Sequence, residues 1–366
     1  MKKNIGLVTL PLIANYGGIL QCLSMNYFLK KHGYNVTLID IRPKNTLFRR
    51  ILINTISRIP FQDFKGLRKK HLKQKNNVAV INRYITSRTP CISNNDQLKY
   101  IADSFEFDAV IVGSDQVWRY EYINSSMYDA YFLGFVNKET CKKISYAASF
   151  GVDKWFHEDK KNKTMKLLHK FDYISVREQS GVDICNNEFK IDNAVHVLDP
   201  TLLDTSFYDD LLKEMKPTAG DSKYLLRYIL DETKTADIVE NAVFESVRFD
   251  YTIDIMKARK NYTIQDWVSA FKNAEYIITD SFHGMVFAII FNKRFIAIGN
   301  RARGLSRFSS FLNIINLECK LISTEDIAKK EALAKVIDYE PDYQEINNTI
   351  DNWRKKSTEF LLSSLK

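Results

Sequence analysis

The chain has 366 residues, which is more than one hydrophobic core usually occupies, so two domains are expected. Its 45% hydrophobic and 13% aromatic content is enough to build sizeable cores and excludes a mostly disordered protein. No stretch approaches the roughly 20 apolar residues that a membrane-spanning helix needs. The first residues contain no cleavable apolar segment either, so we expect a cytoplasmic protein.

The cysteines and histidines give no indication of a metal site. Five cysteines lie far apart without a C-x-x-C pair, so we expect them to be reduced. No two of the six histidines have metal-ligand spacing on one predicted helix. We therefore predict neither a bound metal nor a resident cofactor.

The positive charge of the chain is concentrated in one segment. The formal net charge is +9, and the segment from Lys44 to Lys75 holds ten basic residues against one acid, which accounts for the whole excess. The neutral remainder argues against an extended nucleic-acid-binding face, so no nucleic-acid partner is predicted. Between Leu47 and Ile59, apolar residues at near-helical spacing lie among arginines. Two interpretations stay open: residues 44–75 contact the inner face of an anionic membrane, or they form a solvated excursion with a partly buried helix.

The first forty residues predict a β-α-β unit. A strand at Ile5–Leu10, a glycine turn at Tyr16–Gly18, a helix at Leu20–Lys31 and a strand at Asn35–Ile41 follow one another. Such a unit predicts a parallel sheet that binds ligands at the carboxyl ends of its strands.

The same alternation continues along the chain. Further strands are predicted at Phe107–Val112, Lys143–Ala148, Tyr173–Val176, Ala194–Leu198, Tyr224–Leu230, Ser246–Phe249, Tyr276–Thr279 and Phe295–Ile298. Helices are predicted at Lys160–Lys170, Ile264–Phe271, Phe282–Phe291 and Tyr343–Leu365. We predict an α/β protein with a first domain over residues 1–175, a basic insertion at about 44–100, a second domain over 176–345 and a C-terminal helix over 346–366.

His283 is the strongest candidate for a catalytic residue. It lies where the predicted strand Tyr276–Thr279 gives way to a helix, so it falls in the first turn of that helix. The exposed amides and the positive end of the helix dipole could hold an anionic substrate beside a group that delivers a proton near neutral pH. The alternative is that Asp280 or Ser281 caps the helix and His283 only packs.

Arg177 and Asp115 also follow predicted strands. The guanidinium of Arg177 can bind a carboxylate or a phosphate through two parallel hydrogen bonds. Its alternative role is an ion pair with Glu178, Asp172 or another acid. Asp115, with Gln116 and Trp118, offers a carboxylate, an amide and an indole, a combination suited to a sugar. Asp115 could equally be a helix cap.

Two further groups of residues are weaker candidates. The glycine turn at residues 15–18 lets a ligand approach the backbone but lacks the dinucleotide fingerprint. Four arginines flank the predicted strand Phe295–Ile298 and could together neutralise a phosphate, although such residues are more often solvated: Arg294, Arg301, Arg303 and Arg307.

Taken together, these segments resemble the polysaccharide pyruvyl transferase family. The resemblance rests on Asn15–Gln21, Gly113–Trp118, Ser145–Gly151, Ser175–Glu178, Leu198–Thr201 and Thr279–Gly284, which occur in the order typical of that family and cover roughly residues 4 to 310. It implies two Rossmann-like halves facing a cleft, as in the GT-B architecture, with the acceptor on the first half and the donor on the second. It also implies transfer of pyruvyl from phosphoenolpyruvate to two hydroxyls of a sugar in a surface or capsular polysaccharide precursor.

The resemblance assigns roles to the matching positions. His283 would be the general acid, and Asp115 is taken as a second catalytic residue that accepts a hydroxyl proton. The residues expected to bind phosphoenolpyruvate are Arg177, Ser281, Phe282, Gly284, Arg294, Arg301 and Arg303. The residues expected to bind the acceptor, a lipid-linked oligosaccharide, are Asn15, Tyr16, Gly17, Gln21, Gln116 and Trp118.

The sequence departs from the family pattern at two positions. Ser281 stands where members can carry an arginine, so Arg294, Arg301 or Arg303 would have to substitute in donor binding. Arg119 follows Trp118 where asparagine is common. Two other functions stay open: a GT-B glycosyltransferase that uses a nucleotide sugar, and a non-catalytic protein that binds saccharides or lipid-linked glycans. The donor that binds distinguishes the first of these from pyruvyl transfer.

Overall fold

The computed structural model describes residues 2–13, 15–42, 77–123, 125–137, 139–215, 222–300, 303–323 and 330–366. The chain divides into two compact units, Met1–Asp204 with Arg354–Lys366, and Thr205–Trp353. Each unit is built on one parallel sheet, so the predicted class of two parallel-sheet α/β domains is confirmed.

The first unit holds a six-stranded parallel sheet. Its strands are β1 Asn4–Val8, β2 Asn35–Leu38, β3 Ala109–Val112, β4 Lys142–Ala148, β5 Tyr173–Val176 and β6 Val195–His196, in the order β2-β1-β3-β4-β5-β6. Its helices include α1 Tyr16–Lys31, α2 Asn95–Ser104, α3 Glu158–Leu168 and α4 Gln179–Phe189. All four residues of β3 are buried, as expected for a strand covered on both faces.

The strand order of this sheet reverses between β1 and β3. The chain leaves β1, forms α1 and returns as β2 on one side of β1, and β3 then pairs with the other side. Leu7 is in register with Leu38 of β2 and with Ile111 of β3, so the strands end at one edge. In open α/β sheets ligands bind at such a reversal, outside the carboxyl ends of the strands.

The second unit holds a five-stranded parallel sheet with the same kind of reversal. Its strands are β7 Tyr224–Tyr228, β8 Tyr251–Asp254, β9 Tyr276–Thr279, β10 Arg294–Ile298 and β11 Leu321–Ile322, in the order β11-β10-β9-β7-β8. Its helices include α5 Ser206–Leu212, α6 Lys234–Ser246, α7 Ile264–Asn273, α8 Phe282–Ile290, α9 Ser306–Ile314 and α10 Lys330–Asp338. The reversal lies between β7 and β9, because β8 pairs with one side of β7 and β9 with the other.

The first unit continues to Asp204, so the division between the units falls later in the chain than the predicted boundary between residues 175 and 176. Strand β5 pairs with β4, and Ser175 is in register with Val195 of β6, so residues 176–204 continue the first sheet. The chain also returns to the first unit at its end. The last helix, α11 Tyr343–Ser364, contributes its residues from Arg354 onward to that unit, where Leu198 N donates to Ser357 Oγ at 3.0 Å.

Two predicted elements differ in the structure. Helix α1 begins at Tyr16 rather than at Leu20, so the predicted glycine turn is the first turn of the helix. Residues Ser246–Phe249 are not a strand, because α6 continues to Ser246 and the strand β8 starts only at Tyr251. The buried positions 236, 239 and 243 of α6 follow the helical period and explain its length.

The basic segment 44–75 lies outside the described residues, so its predicted membrane contact stays a prediction. Of the insertion at about 44–100, the structure describes a helix over residues 77–84 and the start of α2. Within the described parts of the chain, no helix combines the length and the apolar character needed to cross a membrane.

Candidate functional site

In the first unit, the loop after β3 carries Asp115 at the sheet reversal. Gly113 precedes it with φ of +130°, and a Cβ at Gly113 would lie 2.1 Å from the carbonyl oxygen of Tyr146, so only glycine fits. The carbonyl oxygen of Asp115 accepts hydrogen bonds from Val117 N at 2.8 Å and from Ser149 N at 3.1 Å. The backbone of Asp115 is thereby fixed between the loops that follow β3 and β4.

Asn15 and Asp115, predicted from separate motifs, come together at the start of α1. A Cβ on Gly18 would lie 3.2 Å from Asn15 Nδ2 and 3.2 Å from Asp115 Oδ2. Gly18 therefore leaves room for an amide and a carboxylate in the first turn of the helix. This pair can hold hydroxyl groups, because it supplies both donors and acceptors.

Arg177 is buried in an ion-pair cluster of the first unit. Its Nη1 lies 2.7 Å from Asp199 Oδ2 and its Nη2 lies 3.4 Å from Asp115 Oδ1, and its side chain is 1% exposed. Burial lowers the pKa of Arg177, but Asp199 and Asp115 outweigh it and raise the pKa above its ordinary value. Arg177 thus holds carboxylates of the protein, in place of the predicted contact with the donor.

Asp199 accepts several hydrogen bonds in this cluster. Its Oδ1 accepts from Thr201 N at 3.0 Å and from Thr201 Oγ1 at 2.8 Å, and its Oδ2 also accepts from Ser114 Oγ at 3.1 Å. In the sequence, Asp199 stood out only as part of the segment Leu198–Thr201. The structure shows that it fixes both Arg177 and the loop that carries Asp115.

Gln21 is a structural residue rather than an acceptor contact. Its Nε2 donates to Thr9 Oγ1 and to Gly18 O, both at 2.8 Å, and its Oε1 accepts from Ser114 N at 2.9 Å. The residue is fully buried. Its amide is therefore occupied in joining the end of β1, the first turn of α1 and the loop after β3.

Trp118 is a core residue, contrary to its predicted contact with a sugar. Its Nε1 donates to Tyr131 O at 3.0 Å, and its indole stacks on Phe132 with ring centroids 5.7 Å apart. It is 1% exposed, so no face of the ring is available to a sugar. Tyr16 and Gly17, also predicted to bind the acceptor, are buried in the first turn of α1.

Gln116 has a buried side-chain amide in the loop after β3. Its Nε2 is buried and has no hydrogen-bond partner among the described residues. It lies where a Cβ on Gly151 would approach it to 2.0 Å, and Gly151 has φ of +66°. The neighbouring carboxylate of Glu178 accepts from Ser149 Oγ at 2.8 Å and from Gly151 N at 3.2 Å.

In the second unit, His283 lies in the first turn of α8, as predicted. The residue before the helix, Ser281, caps it by accepting a hydrogen bond from Gly284 N at 3.3 Å. A Cβ on Gly284 would lie 2.3 Å from Thr279 Oγ1, so glycine lets α8 approach the end of β9. His283 is buried, and Phe282 meets its ring edge-on with centroids 5.4 Å apart.

Asp280 connects the two sides of the second sheet reversal. Its Oδ1 accepts from Leu230 N at 2.7 Å and its Oδ2 from Asp231 N at 2.9 Å, so it holds the loop after β7. Burial raises the pKa of Asp280, and the two amides and Arg303 act in the opposite direction. The side chain thus fixes the loops that follow β7 and β9 beside the start of α8.

Arg303 and Arg307 bring positive charge to this edge of the sheet. Arg303 forms a two-point ion pair with Asp231, with Nε 2.5 Å from Oδ2 and Nη2 2.8 Å from Oδ1. Arg307 donates to the carbonyl oxygen of Arg303 and lies over the ring of Phe282 at 5.4 Å. Arg307 therefore lies beside Phe282, the residue before His283, and Arg303 pairs with the loop that Asp280 holds.

Arg294 lies at the opposite edge of the sheet, so its predicted contact with the donor is wrong. It is the first residue of β10 and is in register with Tyr276, the first residue of β9. Its Nη2 donates to Ile337 O at 3.2 Å, and its guanidinium lies 5.4 Å over the ring of Tyr276. His283, by contrast, follows the carboxyl end of β9. Arg301, also predicted to bind the donor, lies outside the described residues.

Two polar residues of the second unit, Asp231 and Asn300, were not predicted from the sequence. Asp231 lies three residues after the end of β7, and Asn300 lies two residues after the end of β10. Asn300 Nδ2 donates to Asp231 Oδ2 at 2.8 Å. Their position just after strand ends is the signal that could have found them. No group of histidine, cysteine or acidic residues in the described parts of the chain is arranged to hold a metal ion.

Solved structures of the same fold include several UDP-GlcNAc 2-epimerases. The enzyme from Neisseria meningitidis bound to UDP-GlcNAc is 12% identical, with a TM-score of 0.53 over 99% of this chain and 100% of that chain. The enzyme from Methanocaldococcus jannaschii is 14% identical, with a TM-score of 0.51 over 93% of both chains. These similarities show a GT-B fold.

Sequence comparison identifies the family. No curated protein matches the chain. The family model described as polysaccharide pyruvyl transferase matches residues 15–301, which include Asn15, Asp115 and His283. The chain therefore belongs to the polysaccharide pyruvyl transferase family.

Proposed function

We propose that this chain transfers pyruvyl from phosphoenolpyruvate to two hydroxyls of one sugar, which forms a cyclic pyruvate ketal and releases phosphate. The acceptor is a precursor of a surface or capsular polysaccharide carried on a lipid. The observation that carries the proposal is the position of His283 in the first turn of α8, at the sheet reversal of the second unit. Family membership supports the class of reaction.

The second unit supplies the binding groups for an anionic donor. Helix α8 has nine residues, and its first amides and dipole favour negative charge at its N-terminus. Arg303 can bind a carboxylate or a phosphate in two-point fashion, and Arg307 adds charge beside Phe282. Phosphoenolpyruvate carries both a carboxylate and a phosphate, so it fits this set of groups.

His283 acts as the general acid. Phosphoenolpyruvate does not react with alcohols until its methylene carbon is protonated, which makes C2 electrophilic. His283 donates this proton, and a positioned acid of this kind accelerates a step by about 10²- to 10⁴-fold. A sugar hydroxyl then adds to C2.

The first unit supplies groups for the acceptor. The carboxylate of Asp115 and the amides of Asn15 and Gln116 hold the two hydroxyls. Asp115 accepts the proton of the first hydroxyl as its oxygen bonds to C2. The second hydroxyl then displaces phosphate from C2, and its proton leaves with the phosphate. The proton on Asp115 then returns to His283 through solvent, so phosphoenolpyruvate and the diol are converted to the ketal and phosphate with no other reactant.

Calorimetric titration with phosphoenolpyruvate and with UDP-GlcNAc tests the proposal. We expect phosphoenolpyruvate to bind the wild type, and Arg303→Gln to weaken this binding by about tenfold, the equivalent of one charge-assisted hydrogen bond. Arg294→Gln is the matched control, because it removes an arginine from the opposite edge of the same sheet. Binding of UDP-GlcNAc in place of phosphoenolpyruvate would contradict pyruvyl transfer and favour an enzyme that uses a nucleotide sugar, such as a GT-B glycosyltransferase. Binding of neither would leave the non-catalytic function.

A further inference from the structure

The ion pair between Arg303 and Asp231 has the geometry with which arginine binds an anionic ligand. The guanidinium offers Nε and Nη2 side by side, and the two carboxylate oxygens accept at 2.5 and 2.8 Å. Arginines bind substrate carboxylates and phosphates through the same pair of N–H groups. A carboxylate of the protein therefore occupies the position that a carboxylate of a ligand would take.

This pair is exposed enough to exchange partners. The side chains of Arg303 and Asp231 are 34% and 44% exposed. Ion pairs with this exposure are weak, because water and salt compete with each partner. The pair can therefore open without leaving a buried charge behind.

Each partner also has a contact that is kept when the ion pair opens. Asp231 accepts from Asn300 Nδ2 at 2.8 Å, and its own amide is held by Asp280 at 2.9 Å. The backbone carbonyl of Arg303 accepts from Arg307. The two backbones thus stay in place while the guanidinium changes its partner.

We propose that Asp231 is a specificity-determining residue that competes with the donor for Arg303. A ligand displaces Asp231 only if it offers the guanidinium a two-point anionic group, a carboxylate or a phosphate. Neutral sugars and single hydroxyls do not displace it. For phosphoenolpyruvate as the ligand, the inference rests on the proposed function.

Titration of four proteins with phosphoenolpyruvate tests this competition: wild type, Asp231→Asn, Arg303→Gln and the double variant. We expect Asp231→Asn to bind about tenfold more tightly than the wild type, because its neutral amide no longer competes. Arg303→Gln should bind more weakly, and the double variant no more tightly than Arg303→Gln. Glu232→Gln is the matched control, since it removes the neighbouring carboxylate, which pairs with Arg227. It should leave the affinity within about twofold of the wild type, a smaller change than the loss of one charge-assisted hydrogen bond would cause.

Three results would overturn the inference. If Asp231→Asn weakens binding as Arg303→Gln does, Asp231 positions Arg303 rather than competing for it. If Asp231→Asn leaves the affinity unchanged, there is no competition. If the gain persists in the double variant, it comes from the change in net charge and not from a released guanidinium.

The same series with UDP-GlcNAc separates this inference from the proposed function. If UDP-GlcNAc shows the expected pattern and phosphoenolpyruvate does not bind, the competition stands and the proposed donor is wrong. If phosphoenolpyruvate binds and Asp231→Asn has no effect, the competition alone is wrong. If neither compound binds any of the four proteins, both are wrong.

Discussion

An arginine meets aspartate at both sheet reversals, but the two arrangements differ in exposure. In the first unit, Arg177 lies between Asp115 and Asp199 with its side chain 1% exposed. In the second unit, the Arg303 and Asp231 side chains are 34% and 44% exposed. A buried pair cannot lose one partner without leaving a charge in a nonpolar environment, whereas an exposed pair can. The first arrangement therefore fixes geometry, and the second can respond to a ligand.

The largest expected effect is on turnover. It distinguishes the catalytic role of His283 from the binding of the donor by the second unit. We expect His283→Asn to lower turnover by about 10²- to 10⁴-fold, because no proton reaches the methylene carbon. Affinity for phosphoenolpyruvate should stay within a few-fold, since Arg303 and the amides of α8 remain. The measurement is phosphate release with an acceptor, next to calorimetry of donor binding. Unchanged turnover would remove His283 from the mechanism.

The two arginines should differ most in stability. Arg177→Met leaves Asp199 and Asp115 without their buried cation and should cost about 3–5 kcal/mol in the free energy of unfolding. Arg303→Met leaves only exposed groups and should cost about 0–1 kcal/mol. Urea denaturation followed by circular dichroism gives both values. Similar shifts in the two variants would show that burial does not separate the two arrangements.

Gly284→Ala tests how tightly α8 is held against β9. Its Cβ would lie 2.3 Å from Thr279 Oγ1, so we expect a loss of about 1–3 kcal/mol in the free energy of unfolding, as for other overpacked sites. In the double variant Thr279→Ala with Gly284→Ala, the space is cleared and the cost of the second change should shrink. Additive costs in denaturation experiments would mean that the clash is absent.

The first unit should also respond to acid through a buried histidine. His196 Nε2 donates to the carbonyl oxygen of Arg177 at 3.0 Å, and burial lowers the pKa of His196 from 6.5 to about 4. Its contribution to stability is therefore complete above pH 6.5 and is lost as the pH falls toward about 4. His196→Gln keeps a donor but does not titrate, so its melting temperature should fall less over this range. Parallel pH profiles for both proteins would contradict the prediction.

Much of the fold follows from the sequence because parallel strands are short apolar runs. The predicted strands Tyr173–Val176 and Tyr276–Thr279 have the observed bounds. The candidate site residues that the sequence predicts share one property, which is that they lie within a few residues of the end of a strand. His283 and Asp115 belong to this group.

The remaining assignments needed information that a linear pattern does not contain. Asp199 pairs with Arg177 across 22 residues, and nothing in the local sequence of Arg177 identifies that partner. Trp118 lies in a loop, where no period tells whether a side chain points to the core or to solvent. Arg294 differs from these two cases. Its position before a strand already placed it at the amino end of a parallel sheet, away from residues that follow strands.

Residues 354–366 return to the first unit, so this unit can finish folding only after the second unit has been synthesised. Leu361 and Leu365 are buried in this unit, and Lys3 Nζ donates to Leu365 O at 2.7 Å. The ribosome therefore releases residues 205–353, the whole second unit, before the last piece of the first unit exists. Until then the nascent first unit exposes the apolar surface that Leu361 and Leu365 later cover, which is a surface that chaperones recognise.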